Sequence, residues 1–426
     1  MSTIKRRDFV KILGASAVLG AVGFPHIARS GSKAKVVVIG AGYGGAIAAK
    51  YTRLYDSGID VTLIEKDKNF ISCPLSNEIL SGERTLESLT FGFDGLKKHG
   101  VNVVIDEATD IDATKKKVKT AAGKTYDYDM LVVSPGVSFK WGAIEGYDKA
   151  AAQHMPHAWF AGEQTLLLRK KLEQMKDGGK VYIVAPPNPY KCPPGPYERA
   201  AQIAHYLKHS NKTKSTVTIL DWKDQFSKRP LFEQGWEMHY PGMITWKGAA
   251  EDGKVFGVDA EKGILMTDFD EIEADVASVI PPQKAGIIAE KAGLADDSGW
   301  CPVNQANFES KIHKDVFVIG DASIAGKMPK SGYAANTQAK VVAAVIAARI
   351  HGKAEPKPAY TNTCYSLITP HHGISVAAVY QLVDGKIVGV KGAGGISPVD
   401  ASQQDRQAEA IYALSWYKNI TMDMFG

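Results

Sequence analysis

The 426-residue chain is poor in cysteine, nearly balanced in charge and free of long apolar runs, and each shortage excludes something. Its cysteines are Cys73, Cys192, Cys301 and Cys364, with no Cys-x-x-Cys-His and no zinc-finger spacing, so this chain attaches no c-type haem. The formal net charge is +5. Lys5, Arg6, Arg7, Lys11 and Arg29 against Asp8 give residues 1–30 a charge of +5 − 1 = +4, which leaves the remainder near +1. A nucleic-acid binder needs clustered cations facing phosphates, and the remainder has no such excess. No apolar run reaches the ~18–20 residues that span a bilayer, so no integral membrane segment is expected. His154, His157, His371 and His372 show no metal-ligand spacing with carboxylates and are assigned to surface or turns, so no metal site is expected. What is present, 45% hydrophobic and 23% charged residues, describes a globular protein long enough for two or three domains.

The charge of residues 1–30 has an evident use. Lys5-Arg6-Arg7-Asp8-Phe9-Val10-Lys11 precedes an uncharged apolar stretch from Ile12 to Phe24. A basic start with a short apolar core reads as an export signal, and the paired arginines resemble the twin-arginine type. The mature chain is then expected to begin near Gly31 and to reside in the periplasm, where disulfides persist.

A dinucleotide fold follows. Lys35 to Ile39 reads as a buried strand, and Gly40-Ala41-Gly42-Tyr43-Gly44-Gly45 leads into a helix over Ala46 to Tyr55. Gly40 permits a tight turn, Gly42 lets backbone approach a pyrophosphate, and Gly45 lets the helix pack close to the strand. A second strand, Asp60 to Ile64, ends in Glu65, whose carboxylate suits ribose hydroxyls. Far downstream, Asp315 to Ile319 reads as a strand running into Gly320-Asp321, with a helix over Tyr333 to Ile350. This resembles the second fingerprint of disulfide-reductase-superfamily flavoproteins, in which the Asp holds the ribityl chain of FAD. The strand and turn from Tyr128 to Gly136 resemble the segment that closes the same domain.

A second nucleotide fold is legible, but without its glycines. A helix over Gly162 to Lys176 leads to a strand over Lys180 to Val184, and a further strand, Thr216 to Leu220, ends in Asp221. Where a nicotinamide-binding loop belongs, the chain reads Pro186-Pro187-Asn188-Pro189-Tyr190-Lys191-Cys192-Pro193-Pro194-Gly195-Pro196-Tyr197-Glu198. Prolines remove amide donors, so this loop is a poor phosphate cradle and carries a thiol instead. Glu198, just after a proline favoured at helix starts, suits either the helix dipole or proton transfer beside Cys192.

Longer blocks now resemble one family, the flavoprotein subunit of flavocytochrome c sulfide dehydrogenase. They include Cys73-Pro74-Leu75-Ser76-Asn77-Glu78, Cys192 to Ala200, Gly299-Trp300-Cys301-Pro302-Val303, Ile319 to Ile324, Pro329 to Tyr333, and Asn362-Thr363-Cys364-Tyr365-Ser366. Ser415-Trp416-Tyr417 and Phe425-Gly426 also fit. The resemblance implies a redox-active disulfide, Cys192–Cys364, beside FAD, and a thioether from Cys73 to the flavin. It implies hydrogen sulfide as substrate and a c-type cytochrome subunit as partner in a heterodimer, the haem lying on that partner. Tyr333 and Trp416 are candidate aromatic walls of the flavin site; Cys301 is a leftover buried thiol. The alternatives are a sulfide:quinone oxidoreductase or a non-catalytic flavin carrier. Ala408 to Met424 reads as too polar and tyrosine-rich for a membrane-docking segment.

The expected fold class is α/β: two Rossmann-like domains of the disulfide-reductase superfamily plus a C-terminal α+β module. The FAD domain is expected over 31–145 and 278–352, and the nucleotide-like domain over 146–277. The module, 353–426, would carry Cys364 on antiparallel strands, Cys364 to Ile368 and Ile374 to Tyr380, with a hairpin at Asp384-Gly385, and would offer a partner surface.

Overall fold

Four consecutive buried aliphatic residues, Val36 to Ile39, form the centre of the strand Lys35–Ile39. In a computed structural model that describes residues 33–426, this strand lies at the middle of a five-stranded parallel sheet. The order across that sheet is Val316–Val318, Met130–Val133, Lys35–Ile39, Asp60–Glu65 and Asn102–Ile105. Helices Gly45–Tyr55 and Gly332–Ile350 pack together over it, through alanines small enough for close approach. A sheet covered this way has no wet face, which is why its central strand is apolar throughout rather than alternating. The export signal expected over residues 1–30 lies outside the described residues.

A second parallel sheet has the order Ile244–Lys247, Thr216–Asp221, Lys180–Ala185 and Val276–Val279. Helix Gly195–His209 buries twelve of its fifteen residues between this sheet and the rest of the protein. The two sheets and the segments around them form one compact unit, Ala34–Gly426.

The C-terminal segment is an antiparallel sheet, Tyr360–Thr369, His372–Val383 and Lys386–Ile396, followed by helix Gln403–Phe425. Ser402 and Asp405 close a capping box at the start of that helix. Arg406, Ala410, Ala413, Tyr417, Ile420 and Met424 recur every three or four residues and form its buried face. The helix lies on the middle strand of the sheet and its end enters the first nucleotide fold. There Phe425 stacks on Phe91 with ring centroids 5.4 Å apart, and Lys50 Nζ donates to the carbonyls of Asp423 at 3.0 Å and Gly426 at 2.9 Å. Among the described residues no helix is long and apolar enough to cross a membrane.

The elements expected from sequence appear with modest boundary shifts. The two strands around the Pro370-His371-His372-Gly373 turn are longer than expected, and the hairpin at Asp384-Gly385 leads into a third strand. Two histidine assignments need correction. His372 opens a strand and is 4% exposed, with Nδ1 2.9 Å from His239 Nε2. His157 is also buried, its Nδ1 accepting from the Trp159 amide at 3.0 Å. Burial pushes their pKa values down to about 4 and about 3, so both are neutral imidazoles packed as core. His154 and His371 are exposed, as expected.

Candidate active site

The first glycine loop has the geometry of a cofactor cradle. Gly40 has φ +89°, and a Cβ there would lie 2.4 Å from the Ser134 carbonyl oxygen. A Cβ on Gly45 would lie 1.8 Å from the Gly40 carbonyl oxygen, so the helix can start only without one. Gly42 differs: its φ is ordinary and a Cβ would meet only Phe70 at 3.7 Å. The protein's own packing does not require that glycine, which leaves it to serve a bound group. Glu65 Oε2 accepts the Ala41 amide at 2.6 Å, which fixes a carboxylate at the mouth of the loop.

The opposite wall comes from the distant part of the chain. Gly320 turns with φ +72° and its amide donates to Gln338 Oε1 at 2.8 Å. Asp321 Oδ1 is buried without a partner, and burial raises this carboxyl, opposed by Lys191 and Lys330. Lys330 Nζ donates to the Asp321 carbonyl at 2.6 Å and lies 3.6 Å from the centre of the Trp300 ring; burial lowers its pKa to about 8. Helix Gly332–Ile350 opens at Ser331, whose Oγ accepts the Ala334 amide. Tyr333 stacks with Trp416 at a centroid distance of 6.4 Å, and Trp416 Nε1 is buried without a partner. Gly136 has φ +62° and open space around it. A glycine loop, a ribose-height carboxylate, an unpaired buried aspartate oxygen and an unpaired indole N–H fit a flavin dinucleotide.

The thiols stand beside this cradle. Cys73 Sγ is 3.2 Å from Lys191 Nζ and 3.7 Å from the Trp159 carbonyl. Cys192 has φ +54°; its amide donates to the Lys330 carbonyl at 2.8 Å and its carbonyl accepts the Gly195 amide at 2.8 Å. Gly195 makes room there: a Cβ would sit 2.7 Å from the Trp159 ring and 3.2 Å from Cys192 Sγ. The buried phenol of Tyr43 lies within electrostatic reach of both Cys73 and Cys192.

Cys364 arrives on the strand Tyr360–Thr369, and the second fold clamps that strand. Glu198 Oε1 accepts the Leu367 amide at 2.9 Å, Gln202 Nε2 donates to the Leu367 carbonyl at 2.8 Å, and Lys228 Nζ donates to Ser366 Oγ at 2.8 Å. Asn77 Nδ2 donates to Glu198 Oε2 at 3.0 Å. Burial raises the Glu198 carboxyl, while the Leu367 and Asn77 donors hold it down. Both Cys192 and Cys364 are free thiols in this structure, raised by burial, and the charges of Cys364 and Glu198 raise Cys192 further. The implied pair is thus brought into one site without a bond between the sulfurs. Cys301 is fully buried, its thiol pushed up to about 12, in keeping with a leftover core cysteine.

Sequence reasoning missed Lys228, Arg199, Asn77, Lys191 and Trp159. Arg199 is 2% exposed and donates to the carbonyls of His157 and Ala158, to Ser278 Oγ and to Asn77 Oδ1. Its position next to Glu198 in a helix start was the one available signal. Lys228 had none, since a lysine before Arg229-Pro230 reads as a solvated helix start.

Fold and site together define a flavin-dependent oxidoreductase of the two-nucleotide-fold class, and residues 34–183 match the family model "Pyridine nucleotide-disulphide oxidoreductase". Residues 165–281 match "Sulfide dehydrogenase [flavocytochrome c] flavoprotein chain, central", and residues 356–425 match "Flavocytochrome c sulphide dehydrogenase, flavin-binding". The central and C-terminal parts of the chain thus match two models of one flavoprotein family. The chain is 21% identical over 316 residues to the mitochondrial sulfide:quinone oxidoreductase of Mus musculus, covering 72% of this chain and 68% of the relative. The corresponding protein of Dictyostelium discoideum is 22% identical, covering 68% of this chain and 65% of that one. Among solved structures, the sulfide:quinone oxidoreductase from Aquifex aeolicus superposes with a TM-score of 0.72 at 18% identity, over 92% of each chain. That last likeness concerns the fold.

Proposed function

We propose that this chain takes two electrons from hydrogen sulfide through a Cys192–Cys364 disulfide and passes them, by way of FAD, to a c-type cytochrome subunit. The family and its sulfide-oxidising relatives support the coarser statement, a flavin-dependent oxidoreductase acting on sulfide. The observation that carries the finer one is the convergence of Cys192, Cys364 and Glu198 in one buried site beside the cradle. In the oxidised pair, hydrosulfide attacks the Cys192 sulfur. The bond between the cysteines breaks, a bond to the sulfide sulfur forms, and the electron pair leaves on Cys364 as thiolate. The proton stays on the new persulfide, where Glu198 is the carboxyl placed to exchange it. A bound flavin supplies two-electron acceptance and one-electron release. Glu65 and Asp321 would hold its ribose and ribityl groups, and Tyr333 and Trp416 would wall its ring.

The test is Cys364→Ser. The variant is expected to keep its flavin and fold while sulfide reduces the flavin at least ~10³-fold more slowly, as when a nucleophilic relay is cut. Reduction at the wild-type rate would refute the mechanism.

We also propose that Cys73 tethers the flavin, beside Lys191. After acid precipitation the yellow colour should stay with the polypeptide; colour left wholly in the supernatant refutes the tether. Periplasmic residence, argued from residues 1–30, is part of the same proposal and is checked by cell fractionation.

The likeness to sulfide:quinone oxidoreductases favours a second reading, in which the acceptor is a quinone. Anaerobic turnover of sulfide with cytochrome c or with a soluble quinone separates the two.

A further inference from the structure

Lys228 is the least expected charge in the molecule. It is 4% exposed, and its described neighbours place no carboxylate at direct ion-pair distance. Its one hydrogen bond goes to Ser366 Oγ at 2.8 Å. Burial lowers the Lys228 pKa and the anionic groups around it oppose that, so a negative charge nearby is what favours the ammonium here, beside the Phe232 ring 5.6 Å away. The groups facing it are Cys364, Glu198, Cys192 and, more weakly, Glu409.

Strand geometry and the charges around the two thiols point to Cys364 among them. Side chains two apart on a strand share a face, so Ser366, which anchors the ammonium, faces the same way as Cys364. Lys228 is the cation facing Cys364, with Glu198 the opposing charge, whereas Cys192 has Lys191 as well. Lys228 itself holds φ +62°, a left-handed conformation that a side-chain-bearing residue adopts at a penalty, and it does so where helix Arg229–His239 starts.

We propose that Lys228 is the positioning counter-charge for the thiolate released on Cys364, and that it thereby decides which cysteine keeps the sulfur. When hydrosulfide opens the disulfide, one negative charge moves from the incoming sulfur to the leaving sulfur. Lys228 favours that charge on Cys364, so the persulfide forms on Cys192. The ammonium gives up no proton and forms no covalent bond. This inference rests on the disulfide mechanism proposed above and deepens it.

The experiment needs no sulfide. Flavin-loaded protein, reduced with dithiothreitol and desalted anaerobically, is alkylated with iodoacetamide across a pH series, and each cysteine is followed by peptide mass spectrometry. In Lys228→Gln the Cys364 profile should move up by at least one pH unit, which is about a tenfold slower alkylation at neutral pH, with a smaller change at Cys192. A lost packing contact alone would alter melting temperature without moving that profile selectively. An unchanged Cys364 profile, or an equal shift at both cysteines, overturns the proposal. Should Lys228→Gln not fold, Ser366→Ala decides: it frees the ammonium from its anchor and is expected to shift the Cys364 profile in the same direction by a smaller amount, and no shift overturns the proposal. Failure of the wider reading looks different: the profile shifts while sulfide leaves the wild-type flavin oxidised.

Discussion

The two nucleotide folds of this protein share a scaffold and differ in one loop. After the strand Lys35–Ile39 the chain turns through glycines that its own backbone contacts demand at Gly40 and Gly45 and leave open at Gly42. After the strand Lys180–Ala185 it turns through prolines into Cys192, and the following helix buries Arg199 and sets Glu198 half-buried against the strand that carries Cys364. The parallel strand pairs are equivalent, Lys35–Ile39 with Asp60–Glu65 and Lys180–Ala185 with Thr216–Asp221. Even the acidic residue ending the second strand is retained. Glu65 bonds the loop amide of Ala41, but Asp221 is fully buried and spends its oxygens on Tyr197, Lys223 and Trp246. A carboxylate so engaged has nothing left for a ribose. One fold keeps a place for a dinucleotide, and the other has filled that place with protein and moved a sulfur to its edge.

The strongest way to break the contrast is in the first loop. Gly45→Ala puts a Cβ into the Gly40 carbonyl, and a backbone collision cannot be relieved by a rotamer change. We expect a loss of roughly 3 kcal/mol or more in urea unfolding, with little flavin retained. Full flavin content would show that the cradle is more forgiving than its geometry. At the seam between the folds, His157 has a pKa near 3 against 6.5 for the free side chain. The unfolded chain therefore binds the extra proton first, and stability is lost as pH falls from about 6.5 towards 3. Removing that titration with His157→Gln should reduce the acid loss by about 3 kcal/mol at pH 4, read from melting curves at several pH values. The smallest expected effect is also the most pointed. NADH or NADPH, added anaerobically, should neither bleach the flavin nor raise the melting temperature, because the second fold offers no phosphate loop. Rapid bleaching would mean that a nicotinamide site survives elsewhere.

Local patterns carried the first fold almost completely, since Gly40, Gly42, Gly45, Glu65, Gly320 and Asp321 sit at spacings set by the sheet itself. In the second fold the strands Lys180–Ala185 and Thr216–Asp221 and the helix before them were legible, and the missing fingerprint was visible as prolines, whereas strands Ile244–Lys247 and Val276–Val279 and helix Arg229–His239 were not foreseen. Cys192 and Glu198 lie six residues apart in one loop and helix start, so their proximity was readable too. The remainder of the site was not, because it is made by long-range burial. Lys228 meets Ser366, and Asn77 meets Glu198, only after four separate segments close together. Charged side chains in turns read by default as solvated, and nothing local marks the few that are enclosed. His157 and His372 were misjudged in the same way, as polar residues near turns that the fold later covers.

The first sheet draws its edge strand from Val316–Val318 and one of its covering helices from Gly332–Ile350, while the second sheet is built wholly from Lys180 to Val279. Synthesis runs in one direction, so the two folds mature in the reverse of the order in which they begin. The second sheet has all its strands while the first still lacks an edge. The first also needs pairings between residues far apart in sequence, the kind that form slowly because a long loop must close before any contact rewards it. Asp321 and Tyr333 belong to those late segments, and so do Cys364 and Trp416. Flavin capture and the meeting of the two thiols are therefore closing events of biogenesis, and a chain stalled before residue 316 would hold a finished second fold beside an open, sticky sheet edge.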